Sequence, residues 1–230
     1  MSQFAGKTAI ISGGAEGIGF SIAQAIGKQG MNVVLGDIDA GQLQQAEETL
    51  TAQGVEVLTV PMDVSKQDQW QVIAEQAQAR FGKIHMLVNN AGVCGTPGGI
   101  EQTDDKDWQW VLGVNLMGVI FGTAAIVPLM KAHGEGGWLI NVASMAGMMG
   151  VPYAGSYTAT KVAVVGMSES WQAELAPHNI QVSVLCPAFV KTRINLAHRN
   201  KQAEYADAGQ VGAAPGEALS ALADHLQNVI

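Results

Sequence analysis

Three times along its first part, the chain ends a stretch of helical length in glycine and passes straight into a short apolar run. Residues 18–29, 42–53 and 67–81 lead to Gly30, Gly54 and Gly82, and the runs that follow are MNVVLGD, VEVLTV and KIHMLVNN. Glycine just past a helix supplies the left-handed conformation that ends it, and the residues beyond have the composition of a buried strand. With an opening strand at 7–12, this predicts four strands joined by three helices. Further strands are expected at 138–143 and 180–186, with a long helix over about 154–176 between them. Alternating strands and helices force right-handed crossovers and a parallel sheet covered on both faces. The expected fold is therefore α/β, one doubly wound domain over 1–230, with no linker or charge block to divide it.

Composition narrows the class. Hydrophobic residues are 48% and charged residues 14%, against roughly 25% charged in an ordinary soluble domain. Much surface is expected to be buried, part of it between subunits, which predicts a homodimer or homotetramer. Twelve basic against 20 acidic residues give a net charge of −8 with no basic stripe, so nucleic acid and anionic membrane are not expected partners. Two cysteines, Cys94 and Cys186, make no disulfide framework, and the N-terminus lacks a secretory pattern; a reducing, cytoplasmic setting is expected. Residues 111–130 carry no charge and are long enough to span a bilayer. Asn115, Pro128 and the lack of flanking anchors favour instead a helix buried against the sheet and a partner subunit. His85, His133, His178, His198 and His225 are scattered without ligand spacing, so no metal is expected.

The candidate chemistry begins after the first strand, at Ser12-Gly13-Gly14-Ala15-Glu16-Gly17-Ile18-Gly19. Glycines there allow a tight turn and let backbone approach a pyrophosphate at the next helix N-terminus. Asp37 ends the second strand about twenty residues on, placed to accept from adenosine ribose hydroxyls. A 2′-phosphate would meet that carboxylate. Glu16 adds a second acid, Ile38 adds no charge, and no cation stands nearby in sequence, so NAD is expected over NADP. Tyr157 and Lys161 lie four apart on the long helix and share a face. An ammonium near a phenol favours the phenolate, and Ser144 at a strand end can hydrogen-bond a reacting oxygen.

Together these residues resemble the short-chain dehydrogenase/reductase family, single-domain type with a Rossmann fold. Ser12-Gly13 through Gly17 and Gly19 resembles its cofactor loop, with Ser where Thr is usual; Asp63-Val64 resembles its adenine contact, and Asn89-Asn90-Ala91-Gly92 its motif after the fourth strand. Pro187-Ala188-Phe189-Val190-Lys191-Thr192 resembles the segment that holds the nicotinamide carboxamide, with Ala188 in place of Gly. The resemblance implies a catalytic set of Asn115, Ser144, Tyr157 and Lys161. Tyr157 would be general acid/base and Lys161 would lower its pKa and bind ribose. Ser144 would orient the substrate oxygen, and Asn115 would hold a water between Lys161 and solvent, with structural capping by a buried asparagine as the rival reading. It further implies NAD(H), with Gly13, Gly17, Ile18, Gly19, Asp37, Ile38, Asp63, Val64, Asn90, Ala91, Gly92, Pro187, Val190 and Thr192 lining its site, and a small-molecule substrate.

Residues 191–212 resemble the family's substrate lid, and 214–230 read as a terminal helix (its core at 215–228) with no seventh strand after it. Met145, Met148, Met149, Val151 and Phe189 stand near the expected pocket and suit a lipophilic secondary alcohol or ketone. The rival reading is a catalytically quiet NAD-binding regulator or scaffold.

Overall fold

The apolar runs do form strands, and the stretches between them form the crossovers. In the computed structural model, residues 2–206 are described; the expected terminal helix, the expectation of no strand after it and the end of the lid lie outside them. Strand β1 (Thr8–Ser12) is followed by helix α1 (Gly17–Gly27), β2 (Asn32–Asp37), α2 (Ala40–Ala52), β3 (Val57–Pro61), α3 (Gln67–Phe81) and β4 (Met86–Asn89). Then come α4 (Asp105–Leu112), α5 (Gly118–His133), β5 (Gly137–Val142), α6 (Gly155–Leu175) and β6 (Ile180–Leu185). Gly30, Gly54 and Gly82 have φ of +89°, +77° and +82°, the left-handed geometry expected where each helix stops.

The strands form one parallel sheet in the order β3-β2-β1-β4-β5-β6. In β1, Ile11 pairs with Leu35 of β2 and Val88 of β4, so the first strand is central. Successive side chains point to opposite faces. Ile10, Val34, Leu87 and Leu139 therefore pack with Trp70, Ile73 and Ile126 on one side. Ile11, Val33, Leu35 and Val88 pack with Ala23, Leu43 and Leu50 on the other. Burial on both faces is why the strands read as continuous apolar runs instead of alternating ones.

The uncharged run at 111–130 is not one uniform helix: a π-helical turn, Gly113–Met117, joins α4 to α5. Such a turn inserts an extra residue into the helical ladder, and here it delivers Asn115 to the interior. The whole run Asp105–His133 is long and apolar enough to cross a membrane, yet 56% of its most apolar window is buried. Val119, Gly122, Ile126 and Met130 are among its buried residues, as a core helix requires.

A polar chain crosses this otherwise apolar layer. Asn89 Nδ2 donates to Thr123 Oγ1 (3.1 Å) and Asn141 Oδ1 (2.9 Å), and Asn141 Nδ2 donates to Ser168 Oγ (2.9 Å). It ties β4 and β5 to α5 and α6, the helix that carries Tyr157 and Lys161. The fit is tight at Gly122, where an added Cβ would sit 2.7 Å from both Asn89 Oδ1 and the Trp70 ring. Gly122→Ala is expected to cost about 1–3 kcal/mol. A urea melt checks this: the midpoint should fall with an unchanged slope, and an unmoved midpoint would contradict the packing described.

Candidate active site

In an open parallel sheet the helices leave in opposite directions where the strand order reverses, and the crevice lies outside the carboxyl ends of the strands. Here that point lies between β1 and β4. Its floor is stapled by two side chains: Ser12 Oγ accepts from the backbone N–H of Asn90 (3.0 Å) and Ala91 (3.2 Å), while Asn90 Nδ2 donates to the carbonyls of Ser12 (3.0 Å) and Gly13 (2.8 Å). Gly13 has φ +61°, and a Cβ there would lie 2.8 Å from Ala91 Cα; a Cβ on Gly19 would lie 2.2 Å from the Gly13 carbonyl. These glycines let the turn fold flat, leaving an open cradle at the N-terminus of α1. A dinucleotide pyrophosphate fits such a cradle, since backbone N–H groups and the helix dipole both favour an anion there.

The adenosine side is held by acids. Asp37 Oδ2 accepts from Ala15 N–H and Oδ1 from Asp39 N–H, both at 3.1 Å, which fixes the carboxylate at the end of β2. Burial raises its pKa above the usual carboxylate value, opposed by those two hydrogen bonds. Further out, Asp63 Oδ1 accepts from Ser65 N–H (2.9 Å) and Oγ (2.7 Å). Ile38 and Val64 line the same end.

On the other side of the cleft, α6 presents Tyr157 and Lys161, and Ser144 stands at the end of β5. Lys161 is only 3% exposed. Its Nζ donates to the Val142 carbonyl at 2.9 Å and lies 5.5 Å from the centre of the Tyr157 ring. Burial lowers its pKa to about 8. The phenol of Tyr157 moves the other way from the sequence expectation: its pKa is raised, chiefly by burial, with hydrogen bonding to Ser144 opposing. The reason is geometric. The ammonium sits under the ring on a carbonyl, not at the hydroxyl, so loss of water outweighs the cation. Ser144 Oγ accepts from Ala146 N–H (3.1 Å), which fixes the hydroxyl beside the Tyr157 phenol that it hydrogen-bonds.

Asn115 is fully buried and does not reach the cleft. Its Oδ1 accepts from Val93 N–H (2.8 Å), and its Nδ2 donates to Val93 O (2.8 Å) and Thr160 Oγ1 (3.3 Å). The amide thus clamps the loop after β4 onto α6. Gly13, Gly17, Ile18, Asp37, Ile38, Asp63, Val64, Asn90, Ala91, Gly92, Ser144, Tyr157, Lys161, Pro187, Val190 and Thr192 all line one cleft; Ser12, Gly19 and Asn115 stand behind it.

The sequence reading of Glu16 as an acid with no cation nearby is corrected by the segment after β6. Arg193 and Arg199, 177 and 183 residues away, both pair with its carboxylate. The same strap is fastened elsewhere: Lys201 Nζ donates to buried Asp107 Oδ1 (3.0 Å), Gln202 Nε2 to Asp63 Oδ2 (3.0 Å) and Lys66 Nζ to Glu204 Oε1 (2.6 Å). None of these partners is close in sequence, so spacing carries no signal for them. Cys94 Sγ donates to Ile194 O (3.2 Å), and burial pushes its thiol up to about 11.

At the opposite edge of the sheet the structure gathers two histidines that the sequence keeps far apart. His85, His133 and Glu135 lie within 4.8 Å of one another by their ligand atoms. All four ring nitrogens are engaged within the protein. His85 Nδ1 accepts from Thr8 N–H and Nε2 faces Glu135, while His133 binds Ile84 O and Glu135 N–H.

Residues 7–203 match the family model described as short chain dehydrogenase. A 3-alpha-(or 20-beta)-hydroxysteroid dehydrogenase of Mycobacterium bovis is 41% identical over 189 residues, covering 81% of this chain and 70% of the relative. A CLA biosynthesis dehydrogenase/reductase of Lactiplantibacillus plantarum is 36% identical over 212 residues, covering 90% of this chain and 73% of the relative. A short chain dehydrogenase/reductase from Burkholderia phymatum, solved in complex with NAD, superposes with a TM-score of 0.90 at 39% identity, covering 99% of this chain and 80% of that one. With the strand order, the glycine turn and the Ser144-Tyr157-Lys161 wall in place, the chain belongs to the short-chain dehydrogenase/reductase family.

Proposed function

We propose that the protein transfers hydride between NAD(H) and a lipophilic secondary alcohol or its ketone, with Tyr157 exchanging the proton. The observation that carries this reading is the convergence of Tyr157, Ser144 and Lys161 on one wall of the cleft whose floor is the glycine turn. Bound nicotinamide supplies a hydride acceptor for oxidation and a donor for reduction. Tyr157 Oη takes the proton of the substrate alcohol in one direction and returns it to the carbonyl oxygen in the other. Ser144 donates to that same oxygen and fixes its distance from the phenol. Lys161 holds a positive charge beneath the ring, stabilising the phenolate as the proton leaves. A phenol kept protonated by burial suits the acid role in reduction, whereas the base role needs further positive charge in the cleft.

The substrate class rests on the mouth of the cleft. Met145, Met148, Met149 and Phe189, next in sequence to the cleft-lining Ser144 and Ala188, are 43%, 65%, 61% and 56% exposed, an unusual concentration of large apolar side chains in water. The hydroxysteroid named for the Mycobacterium bovis relative is a ligand of that kind. NAD is favoured over NADP because Asp37 holds its carboxylate where a ribose 2′-phosphate would stand. On the helical run Met117 is exposed and Leu116 and Ile120 are half-buried, apolar surface that suits self-association.

Lys161 is costly to keep. A lysine at about 8, against 10.5 ordinarily, costs about 3 kcal/mol of folding free energy at neutral pH. The unfolded chain binds the extra proton between those two values, so stability rises as pH rises through that window. Lys161→Met removes the buried charge but strands the Val142 carbonyl, worth about 1–2 kcal/mol. The variant is therefore expected to be about 1–2 kcal/mol more stable than its parent at pH 7, with the advantage vanishing towards pH 10; equal stability at both would contradict the burial. Tyr157→Phe should bind NADH with unchanged affinity by fluorescence titration and lose at least 100-fold in turnover of secondary alcohols. Retained turnover would end the proposal, and tight NADH binding without turnover in the parent would favour the regulator reading. Asp37→Ala should narrow the preference for NADH over NADPH at least tenfold; an unchanged ratio would remove the role given to that carboxylate.

A further inference from the structure

We infer that Glu16 is a cofactor-specificity residue that works by occupying Arg193 and Arg199, two guanidinium groups otherwise placed to receive a ribose 2′-phosphate. The inference rests on the NAD(H) reading above and concerns the acid inside the glycine turn together with two arginines that lie far outside it in sequence.

Glu16 follows Ala15, whose N–H is bound to Asp37 Oδ2 at 3.1 Å. The acid of the glycine turn and the acid expected to face the ribose therefore sit side by side, and the charge of Glu16 adds to the cost of ionising Asp37. Onto Glu16 the strap brings Arg193 and Arg199, both on its carboxylate and both lining the cleft that Asp37 and Ile38 also line. Two acids and two guanidinium groups sum to zero, so the site tolerates a neutral ribose hydroxyl and gives a dianion no net attraction. The guanidinium fork is the side chain best matched to phosphate oxygens. An arginine near the ribose is the group that accommodates a 2′-phosphate in folds of this topology.

The Arg199 donors are shared further. Its Nη1 donates to the Arg193 and Leu196 carbonyls, both at 3.1 Å, while Nη2 faces Glu16. Arg199 is thus braced by its own segment and would stay at the cleft without Glu16. At 29–43% side-chain exposure the two arginines are accessible from the cleft. Selectivity on this account has two parts: Asp37 repels the phosphate, and Glu16 withholds the cations that would otherwise attract it.

The test is a binding measurement. NADH and NADPH are titrated by nicotinamide fluorescence against the parent, Glu16→Gln, and Glu16→Gln combined with Arg199→Ala. Glu16→Gln, which keeps shape and removes charge, should tighten NADPH at least tenfold while moving NADH less than threefold, and the added Arg199→Ala should abolish the gain. Equal tightening of both cofactors would overturn the inference, since the arginines would then serve the shared pyrophosphate. So would an unchanged NADPH affinity in a variant that still binds NADH. Absence of NADH binding by the parent would instead defeat the reading on which the inference rests.

Discussion

The buried ammonium of Lys161 is the constraint around which the active side of this molecule is arranged. Full burial of a charge is tolerated only where it is hydrogen-bonded, and here the partner is a single main-chain carbonyl, Val142 O, at 2.9 Å. That carbonyl ends β5, so the position of the charge is set by the sheet and not by a mobile side chain. α6 must then lie where its fourth residue past Tyr157 meets the strand end. The polar chain Asn89–Asn141–Ser168 and the clamp of Asn115 on Val93 and Thr160 hold the helix there. The cost of the charge is a cost of function: an apolar residue would serve the fold better.

The phenol shows why proximity alone does not set a pKa. Tyr157 and Lys161 are neighbours on one helix face, which argues for an acidified tyrosine. In the folded protein the two compete for the same scarce solvation, and both are pushed towards their neutral forms. On the proposed mechanism, Tyr157 becomes an effective base only when another positive charge enters the cleft, which would link the proton chemistry to cofactor occupancy.

Much of this was legible in the chain. The helix expected at 67–81 is α3 without change, because its apolar period and the glycine at 82 bound it on both sides. Strands buried on two faces announced themselves as unbroken apolar runs. The glycine turn, Asp37 and the Ser144-Tyr157-Lys161 set were visible because each is a local spacing attached to a strand end. What escaped depends on contacts between distant segments. The π-helical turn that turns Asn115 inward has no composition signature, and neither has the clamp its amide makes on Val93 and Thr160. The reading of Glu16 as an unpaired acid failed because its partners arrive from beyond the last described strand, in a polar stretch with no periodicity. The sign of the Tyr157 shift escaped because burial is a property of the packed molecule.

The account stands most directly on the titration of one phenol. An ultraviolet difference titration of the parent against Tyr157→Phe isolates Tyr157 from Tyr153 and Tyr205, and it is run with and without saturating NAD. The account predicts a phenol that ionises above pH 10 in the free protein and well below it when the oxidised cofactor is bound. A Tyr157 that already ionises near neutrality without cofactor, or whose ionisation does not move when NAD binds, would contradict it.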